Sequence, residues 1–121
     1  MSPTLIHFEA SHPEPQFDRP RPDRLIAGNP LRTTHQHYEC KGVSAGVWEC
    51  EPGAWHIHFA PNKDEFFHVI EGSLRITAET GDISEYRPGD SGVIPCGFQG
   101  VFEVIQRVKK HYVVIERSGS A

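Results

Sequence analysis

The sequence predicts an all-β fold, a small barrel or sandwich entered by an extended N-terminal arm. Three observations carry that expectation. From Thr34 onward, turn signals return every 6–12 residues. No segment places apolar residues at helical spacing over three turns. Six of the ten prolines fall within residues 1–33, where they remove backbone donors and push their predecessors toward extended geometry.

The arm, residues 1–33, fits neither a helix nor a central strand, and Leu5, Ile6, Phe8, Phe17, Leu25 and Ile26 are its candidate apolar anchors. Residues 34–117 read as one domain of short strands, and 118–121 as a tail. Val43 to Trp48 is the first clear strand, ended by the Pro52-Gly53 turn. Trp55 to Phe59 follows, before the turn-rich Ala60-Pro61-Asn62-Lys63-Asp64. Glu65 to Ile70 is expected to end in a tight turn at Glu71-Gly72. Ser73 to Thr80 then alternates Leu74, Ile76 and Ala78 against Arg75, Thr77 and Glu79, the period of a strand with one buried face. Ile83 to Tyr86, Ser91 to Ile94, Gly100 to Gln106 and His111 to Ile115 complete the set, punctuated by Gly81-Asp82 and Arg87-Pro88-Gly89-Asp90. Crossover helices for a parallel βαβ fold are missing from the pattern.

At 121 residues the chain has the length of one domain, too short for a two-domain enzyme. Twelve basic against sixteen acidic side chains leave a formal charge of -4. Without a bulk positive field, nucleic acid is not an expected partner. No window nears the ~18 consecutive apolar residues of a spanning helix, so no membrane partner is expected. The opening MSPTLIHFEASHPEP lacks a basic and an apolar signal region, which makes the cytoplasm the default location. Cys40, Cys50 and Cys96 form no CxxC pair and read as buried thiols, with Cys96 in its Pro-Cys-Gly turn as the one that could be exposed.

The densest motif block runs from Pro52 to Gly100. Glu65 is followed by six residues and then Gly72; Gly89 is followed by five residues, Pro95, one residue and Gly97; His56 and His58 lie upstream. These features resemble the two motifs of cupins, double-stranded β-helix or jelly-roll barrels. The resemblance is to the small single-domain class once grouped as a domain of unknown function, which is similar to (S)-ureidoglycine aminohydrolase and the ethanolamine-utilisation cupins. It covers residues 28–117, from Gly28-Asn29-Pro30 through Pro52-Gly53-Ala54-Trp55, Asp64-Glu65-Phe66 and Pro88-Gly89-Asp90 to Gly97-Phe98-Gln99-Gly100 and Val108-Lys109-Lys110.

The resemblance implies a barrel interior in which His56, His58 and Glu65 hold a divalent ion (manganese, iron, zinc or nickel), with Glu65 the catalytic group. Imidazole and carboxylate suit such ions. His56 and His58 share one strand face because they are two residues apart. Two features depart from the family: six residues separate His58 from Glu65, and Gly100 stands where the second motif carries its histidine. Phe67, Cys96, Phe98, Gln99 and Phe102 are expected to line the pocket. Alternation from an inward Glu65 makes Phe67 and Val69 inward as well, leaves His68 on the opposite face, and turns Trp55 away from His56. His35-Gln36-His37 reads as an edge strand, and Lys109-Lys110-His111 as a short basic run on an outer strand.

Three readings follow. One is a metal-dependent enzyme acting on a small polar nitrogen-containing metabolite. The second is a non-catalytic small-molecule-binding or accessory cupin without metal. The third is a structural homodimer with a vestigial pocket. The arm and the family both imply a homodimer.

Overall fold

A computed structural model describes residues 2–118; of the expected tail, 119–121 lie outside the described residues. Among the described residues the β-rich pattern resolves into nine strands: β1 (Gln16–Asp18), β2 (Leu25–Ala27), β3 (Arg32–Cys40), β4 (Val43–Cys50), β5 (Gly53–His58), β6 (Lys63–Ala78), β7 (Ile83–Tyr86), β8 (Ser91–Ile94) and β9 (Gln99–Glu116). A 3-10 turn, Phe8–Ala10, precedes them. All ladders are antiparallel and follow the order β1-β3-β4-β9-β5-β2, with β6 pairing β7, β8 and β9. Among the described residues β1, β2, β7 and β8 each have one strand neighbour. The sheet therefore curls around its core as an open half-barrel, where the sequence suggested a closed jelly roll.

One expected turn and one expected break between strands lie inside long strands. The tight turn at Glu71-Gly72 is part of β6, and the gap between Gln106 and His111 is part of β9. The reason is mutual pairing: β6 and β9 run side by side, and the register slips near Val69, Glu71 and Ser73 instead of breaking. Gly72 makes the slip feasible. Its φ is +77°, and a Cβ there would sit 1.9 Å from the Arg107 carbonyl oxygen.

β9 is the spine, since β4, β5 and β6 all pair with it. Alternation then sorts the side chains. Phe67 and Val69 from β6, Leu74, Val108 and Cys50 are fully buried, and burial pushes the Cys50 thiol up to about 12. Cys40 and Cys96 are exposed. Trp55 stacks on Phe102 with ring centroids 5.1 Å apart, and Trp48 meets the same ring edge-on at 5.7 Å. Gly92 on β8 leaves room for the Phe67–Tyr86 edge contact; a Cβ there would lie 2.8 Å from both rings.

The arm is more structured than a proline-rich leader suggests. β1 pairs β3 and β2 pairs β5, both at sheet edges where missing backbone donors are tolerated. Of the expected apolar anchors only Phe8 and Leu25 are partly buried; Leu5, Ile6, Phe17 and Ile26 are exposed. Phe8 lies against the outer face of the sheet. It stacks on His37 at 4.3 Å and meets His111 edge-on at 5.7 Å, while Ser11 and His37 share a hydrogen bond.

Burial holds His37 below its usual value, helped by the nearby His35, His111 and His12 and opposed by Glu9. An unfolded His37 titrates near ~6.5 and binds its proton more readily than the folded one. This contribution to stability is therefore complete above that pH and declines as pH falls through it. Thermal melts are expected to drop between about pH 7.5 and about pH 5.5, and to drop less in His37→Gln; equal drops would show that His37 carries none of the effect.

Candidate functional site

The concave side of the sheet holds a cavity of about 450 Å³. Its least expected occupant is Lys110, a charged side chain only 3% exposed. On β9, Val108, Lys110 and Tyr112 are in phase and all buried, whereas Lys109 and His111 turn outward. The register sets Lys110 opposite Trp48 of β4 and Val69 of β6. Glu65 lies four register positions along the pair, opposite Val114, and the two side chains reach toward each other so that Lys110 Nζ donates a hydrogen bond to Glu65 Oε2 at 2.7 Å. Three aromatic rings surround the ammonium, with centroids 4.7 Å (Trp48), 4.8 Å (Phe67) and 5.1 Å (Phe102) away. The negative faces of these rings attract the cation, each contact contributing up to about 2 kcal/mol when desolvated. Burial raises the pKa of the Tyr112 phenol, and the Glu65 carboxylate adds to the rise. Tyr112 is therefore a neutral hydroxyl inside the cavity.

The mouth is charged differently. Arg32 of β3 grips Asp18 of β1 in a two-pronged contact at 2.8 and 2.7 Å, its guanidinium 5.2 Å from the Trp55 ring. Arg21, Arg24 and Lys63 also line the cavity. Counting Arg32 and Lys110, five basic side chains face two carboxylates, Asp18 and Glu65. Arg21 is paired in turn with Asp23 outside the lining, so the basic excess of the cavity lies at its mouth, within a chain whose formal charge is -4.

The comparisons with known proteins bear on this arrangement. The EutQ-like cupin domain family matches residues 38–112. The chain belongs to that family. No curated protein matches it. Among solved structures, this cupin is similar to the EutQ protein of Clostridium difficile, with 25% identity, a TM-score of 0.64 and coverage of 78% of this chain and 76% of that one. A protein of unknown function from Pseudomonas syringae pv. tomato, of the DUF861 family, gives a TM-score of 0.75 at 22% identity over 87% of this chain, which spans only 45% of it. A Salmonella typhimurium LT2 protein assigned as ethanolamine utilization protein Q gives 0.63 at 19% identity, over 89% of this chain and all of that one. The last two likenesses establish the fold alone.

Against this cupin's geometry the expected site residues divide. Glu65 points into the cavity. His56 and His58 are exposed and lie at the rim, because Trp55 is buried and strand alternation turns its neighbour outward. Phe102 lines the cavity; Phe67 is fully buried beneath the Lys110 ammonium. Phe98 packs half-buried against the core. Cys96 and Gln99 are exposed and do not line the cavity. The Cys96 N–H is tied to Asp64 at 2.7 Å, and Gln99 alternates out of phase with the inward Phe102. Lys110, Arg32, Asp18 and Tyr112 are the residues the sequence reading missed. The signal for Lys110 was its in-phase position between Val108 and Tyr112; its lysine neighbour disguised it as part of a solvated run.

His56, His58 and Glu65 border one cavity without converging as a ligand set. Among the described residues no three His, Cys, Asp or Glu side chains gather in a metal-holding group. Moreover, the Glu65 carboxylate already faces an ammonium at 2.7 Å, so a divalent ion there would meet a like charge.

Removing one member of a buried ion pair strands the other, at a cost of about 3–5 kcal/mol. Lys110→Met is expected to destabilise the fold on that scale in urea unfolding. The double variant Lys110→Met/Glu65→Gln should recover most of the loss, because no uncompensated charge remains. A double variant no more stable than the single would mean that the lysine acts by packing alone.

Proposed function

We propose that this cupin binds a small anionic metabolite on the concave side of its sheet, without a metal ion. The observation that carries the reading is Lys110: the interior is organised by a fixed ammonium paired with Glu65. The net positive lining supports an anion as occupant. The same charge argues against ethanolamine, suggested by the names of the similar proteins, because its amine is protonated at neutral pH as a lysine amine is. A polar hydroxyl (Tyr112) and a wall of Trp48, Trp55 and Phe102 leave space for a compact molecule with one apolar edge.

The reading of a metal-dependent enzyme working on a nitrogen-containing metabolite keeps one observation in its favour: His56, His58 and Glu65 border the same cavity. One experiment separates the two. Elemental analysis of untagged protein should find no stoichiometric manganese, iron, zinc or nickel, and a titration should show saturable binding of small carboxylates but not of their neutral amides. A stoichiometric metal removed by His56→Ala or His58→Ala would replace this reading with the metal-dependent one.

A further inference from the structure

The charged groups of the cavity are not equally fixed. Lys110 and Glu65 are held at depth, their side chains 4% and 13% exposed. At the mouth, Arg32 is also well held. It lies on β3, a long strand paired on both sides; its side chain is 21% exposed and its guanidinium packs over Trp55. Its partner Asp18 is the opposite case, with a side chain 61% exposed on a three-residue edge strand bonded only to β3. Both carboxylate oxygens of Asp18 meet the guanidinium, Nε to Oδ1 and a terminal nitrogen to Oδ2. This is the two-pronged geometry in which arginine recognises any carboxylate. Both residues fall outside the stretch 38–112 matched by the family.

We propose that Arg32 is the ligand-carboxylate subsite of this cavity and that Asp18 is a built-in competitor occupying it. A small carboxylate entering over Trp55 displaces Asp18 from the guanidinium, and the arm segment around β1 lifts from the edge of β3. The inference rests on the cavity taking an anion, and it adds the class of ligand and the residue that reads it. Because Asp18 is tethered, it competes at a high effective concentration. The exchange of one carboxylate for another conserves the ion pair on Arg32, so it is inexpensive for carboxylates and costly for neutral ligands, which leave the guanidinium without its partner.

The test uses the full chain and succinate as probe, followed through the fluorescence of Trp48 and Trp55, the two tryptophans of the sequence. Asp18→Asn should tighten succinate binding about two- to fivefold, the scale of an exposed ion pair removed from competition. Arg32→Gln should weaken it about tenfold or more. Glu14→Gln is the control, because Glu14 is exposed on the same arm, four residues from Asp18, and does not line the cavity; it removes an equal charge nearby and should leave binding unchanged. Equal tightening in Glu14→Gln and Asp18→Asn would reduce the effect to a general field and overturn the proposal. So would an Asp18→Asn variant that binds like the wild type. If succinate binds in every variant but is insensitive to Arg32→Gln, the subsite is lost while the anion-binding reading stands. If neither wild type nor Asp18→Asn binds it, both fall.

Discussion

A lysine ammonium withdrawn from water needs close compensation, since an isolated buried charge is among the most expensive features a small domain can carry. In this cupin the compensation comes from three strands. β6 supplies Glu65 and Phe67, β4 supplies Trp48, and β9 supplies Phe102 as well as Lys110 itself. These groups reach one ammonium only if β9 keeps its pairing with β4 and β6 along its second half, residues 108–115. A slip of one residue in β9 would turn Lys110 outward and bring Lys109 or His111 inside. The ion pair therefore fixes register as well as charge. Replacing the pair with apolar groups need not lower stability, so its retention fits a role in recognition.

The fold was legible where physics is local. Strand alternation from Ser73 to Ala78, two residues short of the expected end, the strand at 83–86, and the turns at Gly81, Pro88-Gly89 and Pro95-Cys96-Gly97 fall where residue chemistry places them. The errors came from long-range pairing. Nothing local in Glu71-Gly72 distinguishes a hairpin from a bend, because both want a positive φ; the choice is made by Arg107, whose carbonyl lies against Gly72 in the paired strand. The open edges at β1, β2, β7 and β8 are likewise a property of which strands find partners.

The site was legible only in part for a related reason. Period two fixes which residues share a face and leaves open which face is inside. His56 and His58 do share a face; the burial of Trp55 turns it toward the exposed rim of the cavity. Glu65, Phe67 and Val69 share a face, and here the apolar pair decides correctly that it is the inner one. Lys110 obeys the same alternation, yet a lysine beside a lysine in a polar run reads as solvent-facing until its neighbours Val108 and Tyr112 are weighed. Residue type misled where phase was informative.

The two faces of the sheet carry different chemistry, and β4 and β9 show how one strand serves both. On β4, Trp48 faces the cavity while Glu49 turns outward to His35 at 3.3 Å; on β9, Lys110 faces inward while His111 meets the arm through Phe8. Four imidazoles, those of His35, His37, His68 and His111, line a second, outer cavity of about 870 Å³ from the sheet side, with His12 approaching from the arm. The arm spans both environments, with Phe8 and Ser11 against the histidines and Asp18 against Arg32. The stacking of Phe8 on His37 and the Asp18–Arg32 pair thus anchor one continuous segment, residues 8–18. Prolines 13 and 15 lie between its two anchor points and limit its backbone freedom. That stiffness favours transmission of a release at one anchor to the other over its absorption within the segment.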